Sequence, residues 1–492
     1  MDTLPDCLIH KRWSYLSVEE AAKTRILSKT IAYGKGNNNS KIVDKVMERY
    51  RDRNIPIERF ALSISTSAYH HHLAFPRIAK RLGIALQNGV KDVVCEVSIP
   101  LYPFPISTFL ASKSLRELYL TGCDLMGLSL STIQAANCHS LRKLSLTNVR
   151  LDDNLRQTLL NYCPLIIDLI IVGCRLLTKI ELRNLQNIKS ISISIGYNDQ
   201  NQSVKIQAPT LEHFFYSMRC CGEPPVLDIT ECHNLKSLKL SDMKISQGFL
   251  RHLISTYQFL ESLILDGICG DLEWLNICGS QSLKFLRIHH YEGIWEVDAS
   301  NLVSLEYEGD KIPEFKIAKE SGQMQNSKAG LYCSNDINAA WFCELRKFLS
   351  NLTSWYKVFL HFNECNEINM KDLQVHHSVA TPQVDVLDVF IEDMSSECWC
   401  PSFVDALLWS CHPRRLNLCS SSKMVTCFMN RLMYMKNSSH STSHGSKPWH
   451  TQLKEVKAYK FDSEYQPVEL SSGELAVRTL MEVEEVYFLL DW

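Results

Sequence analysis

Apolar residues recur along this chain in one short template, apolar-x-x-apolar-x-apolar, at nearly even intervals. It reads LRELYL from Leu115, LRKLSL from Leu141, IIDLII from Ile166, IKSISI from Ile188, LEHFFY from Leu211 and LKSLKL from Leu235. It continues as LESLIL from Leu260, LKFLRI from Leu283 and LVSLEY from Leu302, and upstream IERFAL from Ile57 and VKDVVC from Val90 fit it too. From Val90 to Leu302 successive starts lie 19 to 26 residues apart, a spread too narrow for chance placement of common residues. The last two apolar positions alternate as a strand's do, so each match predicts a strand, and the rest of the period supplies a loop and an outer helix. One unit cannot bury its apolar side alone. Stacked units share a core and set their strands side by side as one parallel sheet.

The period lies inside the roughly 20 to 29 residues of leucine-rich repeats. The predicted class is therefore α/β, a leucine-rich-repeat solenoid with a concave parallel β-sheet. The fifth template position points away from the core and forms a row: Tyr119, Ser145, Ile170, Ser192, Phe215, Lys239, Ile264, Arg287 and Glu306. Aromatic and arginine side chains dominate protein interfaces. His213, Phe215, Phe285 and Arg287, with Tyr119 at the edge, are accordingly the predicted target-binding residues.

Beyond the repeats at 57–310, residues 311–336 are polar with little periodicity and predict an inserted loop. Over 337–492 structure returns. Ile337, Trp341, Leu345, Phe348 and Leu352 mark a helix, YKVFLHF and VDVLDVFI predict strands, and PSFVDALLWSC predicts a helix opened by Pro401. HPRRLNL is the next strand, and a serine-rich loop from Asn437 precedes WHTQLKEVKAYKF, where Leu453, Val456 and Ala458 repeat the template. The chain closes with the alternating VEEVYFLLDW, and this region is expected to hold further repeats and a terminal cap.

At the other end, residues 1–34 predict short helices, followed by a linker at 35–56. Ile9, Trp13 and Leu16 share one helical face, and Ser17 precedes Glu20 by capping-box spacing. Some thirty residues cannot bury a core of their own. Their apolar faces are expected to dock on a partner.

Composition excludes more than it proposes. The net charge of -2 gives no general field for nucleic acid or an anionic membrane. No window approaches the ~18 uncharged apolar residues of a membrane span. Asp2 and Asp6 with no apolar run behind them do not make a secretory signal, so an intracellular protein is expected, in cytoplasm, nucleus or both. The 19 cysteines are then read as reduced, packed thiols, among them Cys123, Cys138, Cys163, Cys174 and Cys232. His70, His71 and His72 are consecutive, and Cys398-Trp-Cys400 lacks a second pair at zinc spacing. With no phosphate-binding loop, nucleophile elbow or metalloprotease motif, the chain is expected to bind rather than catalyse, without metal or cofactor.

The N-terminal stretch LPDCLIHKRWSYLSVEEAAKTRILSKT resembles a plant F-box, and the W-H-x-x-L-K-x-V and V-x-F-x-L-x-W elements near the C-terminus resemble the FBD tail. With the repeats between them, nearly the whole chain is similar to plant F-box/leucine-rich-repeat proteins. The resemblance implies a substrate receptor of a Skp-cullin-F-box ubiquitin ligase, whose F-box docks on the Skp-family adaptor, and through it the cullin scaffold, while the repeats hold a target protein. It assigns adaptor docking to Leu4, Pro5, Leu8, Ile9, Leu16, Val18, Ile26 and Leu27. The family usually has an aliphatic residue where Arg12 stands and tryptophan where Ile31 stands. Loss of an aromatic anchor, about 2 kcal/mol or more, predicts weakened docking and leaves open a repeat scaffold with a vestigial F-box. A third possibility is a small hormone on the concave face, though no convergent basic cluster is evident to hold an anionic one.

Overall fold

Every apolar template position of the eleven matches from Ile57 to Tyr307 is at most 3% exposed. The computed structural model describes residues 31–32, 37–65, 71–97, 102–126, 138–174, 177, 179–183, 185–196, 203–218, 226–268, 274–278, 280–290, 294–317, 324–333, 337–373, 380–392, 401–437, 452–461, 466–470 and 483–492. The chain divides into two units, Met1–Leu235 and Lys236–Trp492. The division falls inside the span predicted as one array. Each unit is an α/β leucine-rich-repeat stack built on parallel strands. The eight adaptor-docking positions, His70, Cys398, Cys400 and the serine-rich loop beyond Asn437 lie outside the described residues.

In the first unit the strands Arg59–Ser65, Asp92–Val97, Glu117–Thr121, Lys143–Thr147, Asp168–Val172, Ser190–Ile195 and His213–Met218 pair in parallel, each with the next. Leu118, Leu144, Leu169, Ile191 and Phe214 stand in one register row under the sheet. Each strand starts in the same way. The carbonyl of Lys91 accepts the N–H groups of Arg116 and Glu117, that of Arg116 accepts Arg142 and Lys143, and that of Arg142 accepts Ile167 and Asp168. Three successive strands also end alike, at a left-handed residue: Gly122, Asn148 and Gly173 have φ of 71°, 52° and 59°. The N–H of Gly122 donates to Thr147 O and that of Asn148 to Val172 O. At Gly122 a Cβ would stand 2.0 Å from the carbonyl oxygen of Val97, so no other residue fits.

The outer layer varies from repeat to repeat. The 25-residue steps from Leu141 and from Leu235 hold ten-residue helices, Asp153–Tyr162 and Gln247–Thr256, capped by the side chains of Asp152 and Ser246. The 25-residue step from Val90 carries the short strand Tyr102–Pro103 and a five-residue helix, Ile106–Leu110, and shorter steps carry short strands instead of the expected helix. Lys179–Leu182, Ser203–Ile206 and Val226–Asp228 form one three-stranded parallel sheet. In the second unit Trp274–Cys278, Ile294–Asp298 and Phe315–Ile317 form another.

Residues 35–56, predicted as a linker, contain the helix Asn37–Asp52. Its Val43, Val46, Met47 and Tyr50 follow helical spacing, with Met47 and Tyr50 buried. It is tied to the helix His71–Gln87 by Arg81 to Asp44 at 2.7 Å and Lys80 to Glu48 at 2.6 Å. Asn88 Nδ2 closes the turn by donating to the carbonyls of Tyr50 and Ile55. Ile31–Ala32 is a two-residue strand parallel to Ile64 and Ser65 rather than the end of a third helix.

In the second unit Ser237–Ser241, Ser262–Asp266, Phe285–His289, Ser304–Gly309, Asn326–Cys333, Ser354–Phe362, Gln383–Ile391 and His412–Ser421 continue the parallel pattern. The predicted loop at 311–336 therefore holds Phe315–Ile317 and a full sheet strand, Asn326–Cys333. Its inward positions begin with Ser327 and Ala329, which hid the alternation. The helices Ala339–Leu349, Pro401–Ser410 and Ser422–Asn437 lie behind this part of the sheet, over a core in which Phe342, Phe348, Trp355, Phe362, Phe403 and Phe428 are fully buried.

The template match at Leu453 does not give a parallel strand. Glu455–Phe461 pairs antiparallel with Val483–Asp491, which pairs antiparallel with His412–Ser421. Trp492 ends the chain stacked on His412 at 3.9 Å, and its Nε1 donates to Pro413 O at 2.7 Å.

Two outcomes follow for stability. Leu144→Ala or Leu169→Ala should each destabilise by ~2 to 5 kcal/mol in chemical denaturation, because each empties a filled core position. His412 is 3% exposed, and burial first, then the charge of Arg346, lowers its pKa from 6.5 to about 4. Between these values the unfolded chain binds the extra proton, so this stabilisation is complete above pH ~6.5 and is lost as pH falls toward 4, by about 3 kcal/mol. In His412→Phe, which keeps a ring against Trp492 but cannot titrate, that part of the pH dependence should vanish from thermal melts.

Candidate protein-interaction face

Side chains between the apolar template positions leave the core and cover the other face of each sheet. In the first unit Val94, Tyr119, Ser145, Ile170, Ser192 and Phe215 are in register across six strands. The row beside it runs Asp92, Glu117, Lys143, Asp168, Ser190 and His213. Tyr119 is held in place: its hydroxyl donates to Glu117 at 2.9 Å, and Lys143 Nζ lies 5.5 Å from the ring centre. Burial and that bond to Glu117 raise its pKa. His213 is exposed and Phe215 half-buried.

In the second unit the row runs Lys239, Ile264, Arg287, Glu306, Lys328 and Lys357. Here the predicted Arg287 is already engaged. Its guanidinium bonds Glu306 and lies 5.4 Å from the Phe285 ring, while Lys328 reaches the other oxygen of Glu306 at 2.9 Å. Burial pushes the Glu306 carboxyl up, but hydrogen bonds and charge from Lys328 and Arg287 outweigh it and hold the pKa below the ordinary value. The structure thus brings Phe285 and Arg287 together on one strand of the second unit, and His213 and Phe215 together on one strand of the first.

Sequence reasoning missed the aromatic part of the second unit's face. Tyr332, His361 and Phe390 are in register on three adjacent strands, with Phe359 beside them. Ring centres are 5.8 Å apart for Tyr332–Phe359 and Tyr332–His361, and 4.9 Å for His361–Phe390. Tyr332 Oη donates to Glu308 at 2.7 Å, which with burial pushes its pKa up to about 12. Alternation in YKVFLHF and VDVLDVFI pointed Phe359, His361 and Phe390 outward. The missing signal was the strand carrying Tyr332.

The described cysteines are unpaired as disulfides, and Cys123, Cys138, Cys163 and Cys232 are buried. Cys138 has its pKa lowered to about 6, first by a hydrogen bond from the neighbouring Cys163 thiol. Among the described residues no three His, Cys, Asp or Glu side chains cluster as metal ligands, and no helix is long and apolar enough to cross a membrane.

The sequence matches the family model for the LRR domain of At1g61320/AtMIF1 over residues 50–221 and 215–370. It is also similar to the F-box/LRR-repeat protein At3g03360 of Arabidopsis thaliana, 21% identical over 305 residues, which cover 59% of this chain and 61% of that protein. The repeats, their register and the family match lead to one placement: the chain belongs to the At1g61320/AtMIF1 leucine-rich-repeat family.

Proposed function

We propose that this protein is the target-recognition subunit of a Skp-cullin-F-box ubiquitin ligase, non-catalytic, acting in cytoplasm, nucleus or both. The observation that carries the reading is the outward face of the repeats, whose registered side chains point away from the leucine core, with His213 exposed and Tyr119 and Phe215 half-buried. The N-terminal LPDCLIHKRWSYLSVEEAAKTRILSKT supports the ligase role, because it resembles the F-box that docks on the Skp-family adaptor through Leu4, Pro5, Leu8, Ile9, Leu16, Val18, Ile26 and Leu27. The similar Arabidopsis protein carries F-box in its name. The target is held by Tyr119, His213, Phe215, Phe285 and Arg287, whose residue types are those that dominate interfaces.

A second reading, a repeat scaffold with a vestigial F-box, is favoured by one observation. Ile31, where the family has tryptophan, pairs as a strand with Ile64, and Arg12 stands where an aliphatic residue is usual.

A pull-down of the full chain with purified Skp-family adaptor separates the two. The ligase reading expects measurable capture, and capture strengthened roughly tenfold or more in an Arg12→Leu, Ile31→Trp variant that restores the apolar anchors. No capture by either form supports the scaffold. Once a target is identified, a Phe215, Phe285 and Arg287 triple-alanine variant should lose most of its affinity for it while melting as the parent does. Full affinity in that variant would place the target elsewhere.

A further inference from the structure

We infer that the notch above Gly330 in the second unit binds a lysine or arginine side chain of a protein partner; the inference rests on the reading that the outward sheet face holds a target. Gly330 is in register with Glu308 on one side and Phe359 on the other, so a carboxylate and an aromatic ring flank a position with no side chain. Tyr332, two residues along the same strand, forms the third wall, its ring 5.8 Å from that of Phe359. His361 and Phe390 extend the ring cluster, and Glu392 sits at its outer end, 3.1 Å from His361 Nε2.

Charge identifies the occupant. Elsewhere on this face carboxylates already hold cations: Glu306 holds Arg287 and Lys328, and Asp388 holds Lys357 at 2.6 Å. At the notch, among the described residues, Glu308 does not. Glu308 is met by the Tyr332 hydroxyl and by His289 at 3.4 Å, and burial lowers the pKa of that histidine. At the outer end of the ring cluster Glu392 is met by His361, and its side chain is 54% exposed. A carboxylate that no described lysine or arginine meets, beside aromatic faces that attract cations within about 6 Å of the ring centre, suits a partner's ammonium or guanidinium group. The same surface repels an acidic segment.

A random peptide library displayed on phage and panned on the full chain tests this. Selected peptides should be enriched in Lys or Arg. A synthetic consensus peptide should lose roughly tenfold or more in affinity when its Lys or Arg is replaced by norleucine. The same loss is expected with Gly330→Val, whose Cβ would stand 3.3 Å from Glu308 Cγ, so that the new side chain crowds Glu308 and fills the notch, and with Glu308→Gln. Thermal melting checks that each variant folds. No enrichment in basic residues, or unchanged affinity in both variants, overturns the proposal. Affinity that falls in the Phe215, Phe285 and Arg287 triple-alanine variant but not in Gly330→Val would overturn this siting and leave target holding intact. Insensitivity to every outward-face variant would overturn both.

Discussion

One backbone carbonyl per repeat sets both faces of these sheets. The second template residue turns its carbonyl toward the next repeat and receives two successive N–H groups. It does so at Glu58, Lys91, Arg116, Arg142, Ile167 and Lys189 in the first unit, and at Lys236, Glu261, Lys284 and Val303 in the second. That capture fixes where each strand begins against its neighbour. A slip of one residue would turn every apolar template side chain to solvent and every outward one into the core. Burial of the leucines and alignment of Tyr119 with Ser145, or Arg287 with Glu306, are therefore one constraint seen from two sides. The left-handed corners at Gly122, Asn148, Gly173, Asp242, Gly267 and His290 close the far end in the same way.

Much of this was legible because period two and a repeat near two dozen residues are both written in side-chain identity. Strands announced by leucine, isoleucine and valine stand where the template put them. Elements whose inward positions are small or polar did not announce themselves: Ser327 and Ala329 open the inward face of Asn326–Cys333. The helix Asn37–Asp52 was masked by its high charge and by a start in three asparagines. The direction of the last strands was hidden for another reason. Alternation specifies a face, not whether the neighbour runs parallel, so Glu455–Phe461 matched the template yet pairs antiparallel.

The site divides along the same line. Which residues face outward follows from alternation, and the predicted rows are in register within each unit. What those residues do to one another depends on lateral neighbours a whole repeat away. Arg287 reads as a free interface arginine in its own strand, yet nineteen residues on Glu306 claims it. Likewise the ring cluster at Tyr332 draws on three strands, no two of which carry it alone.

The outer layer switches between a ten-residue helix and a short strand from one repeat to another, while the template and its carbonyl capture stay unchanged. Gains and losses of one or two residues are thus absorbed on the back of the stack without disturbing the front. Such a fold can change length at one surface while the registered rows of the other keep their spacing, so the geometry of the front is insulated from insertions at the back.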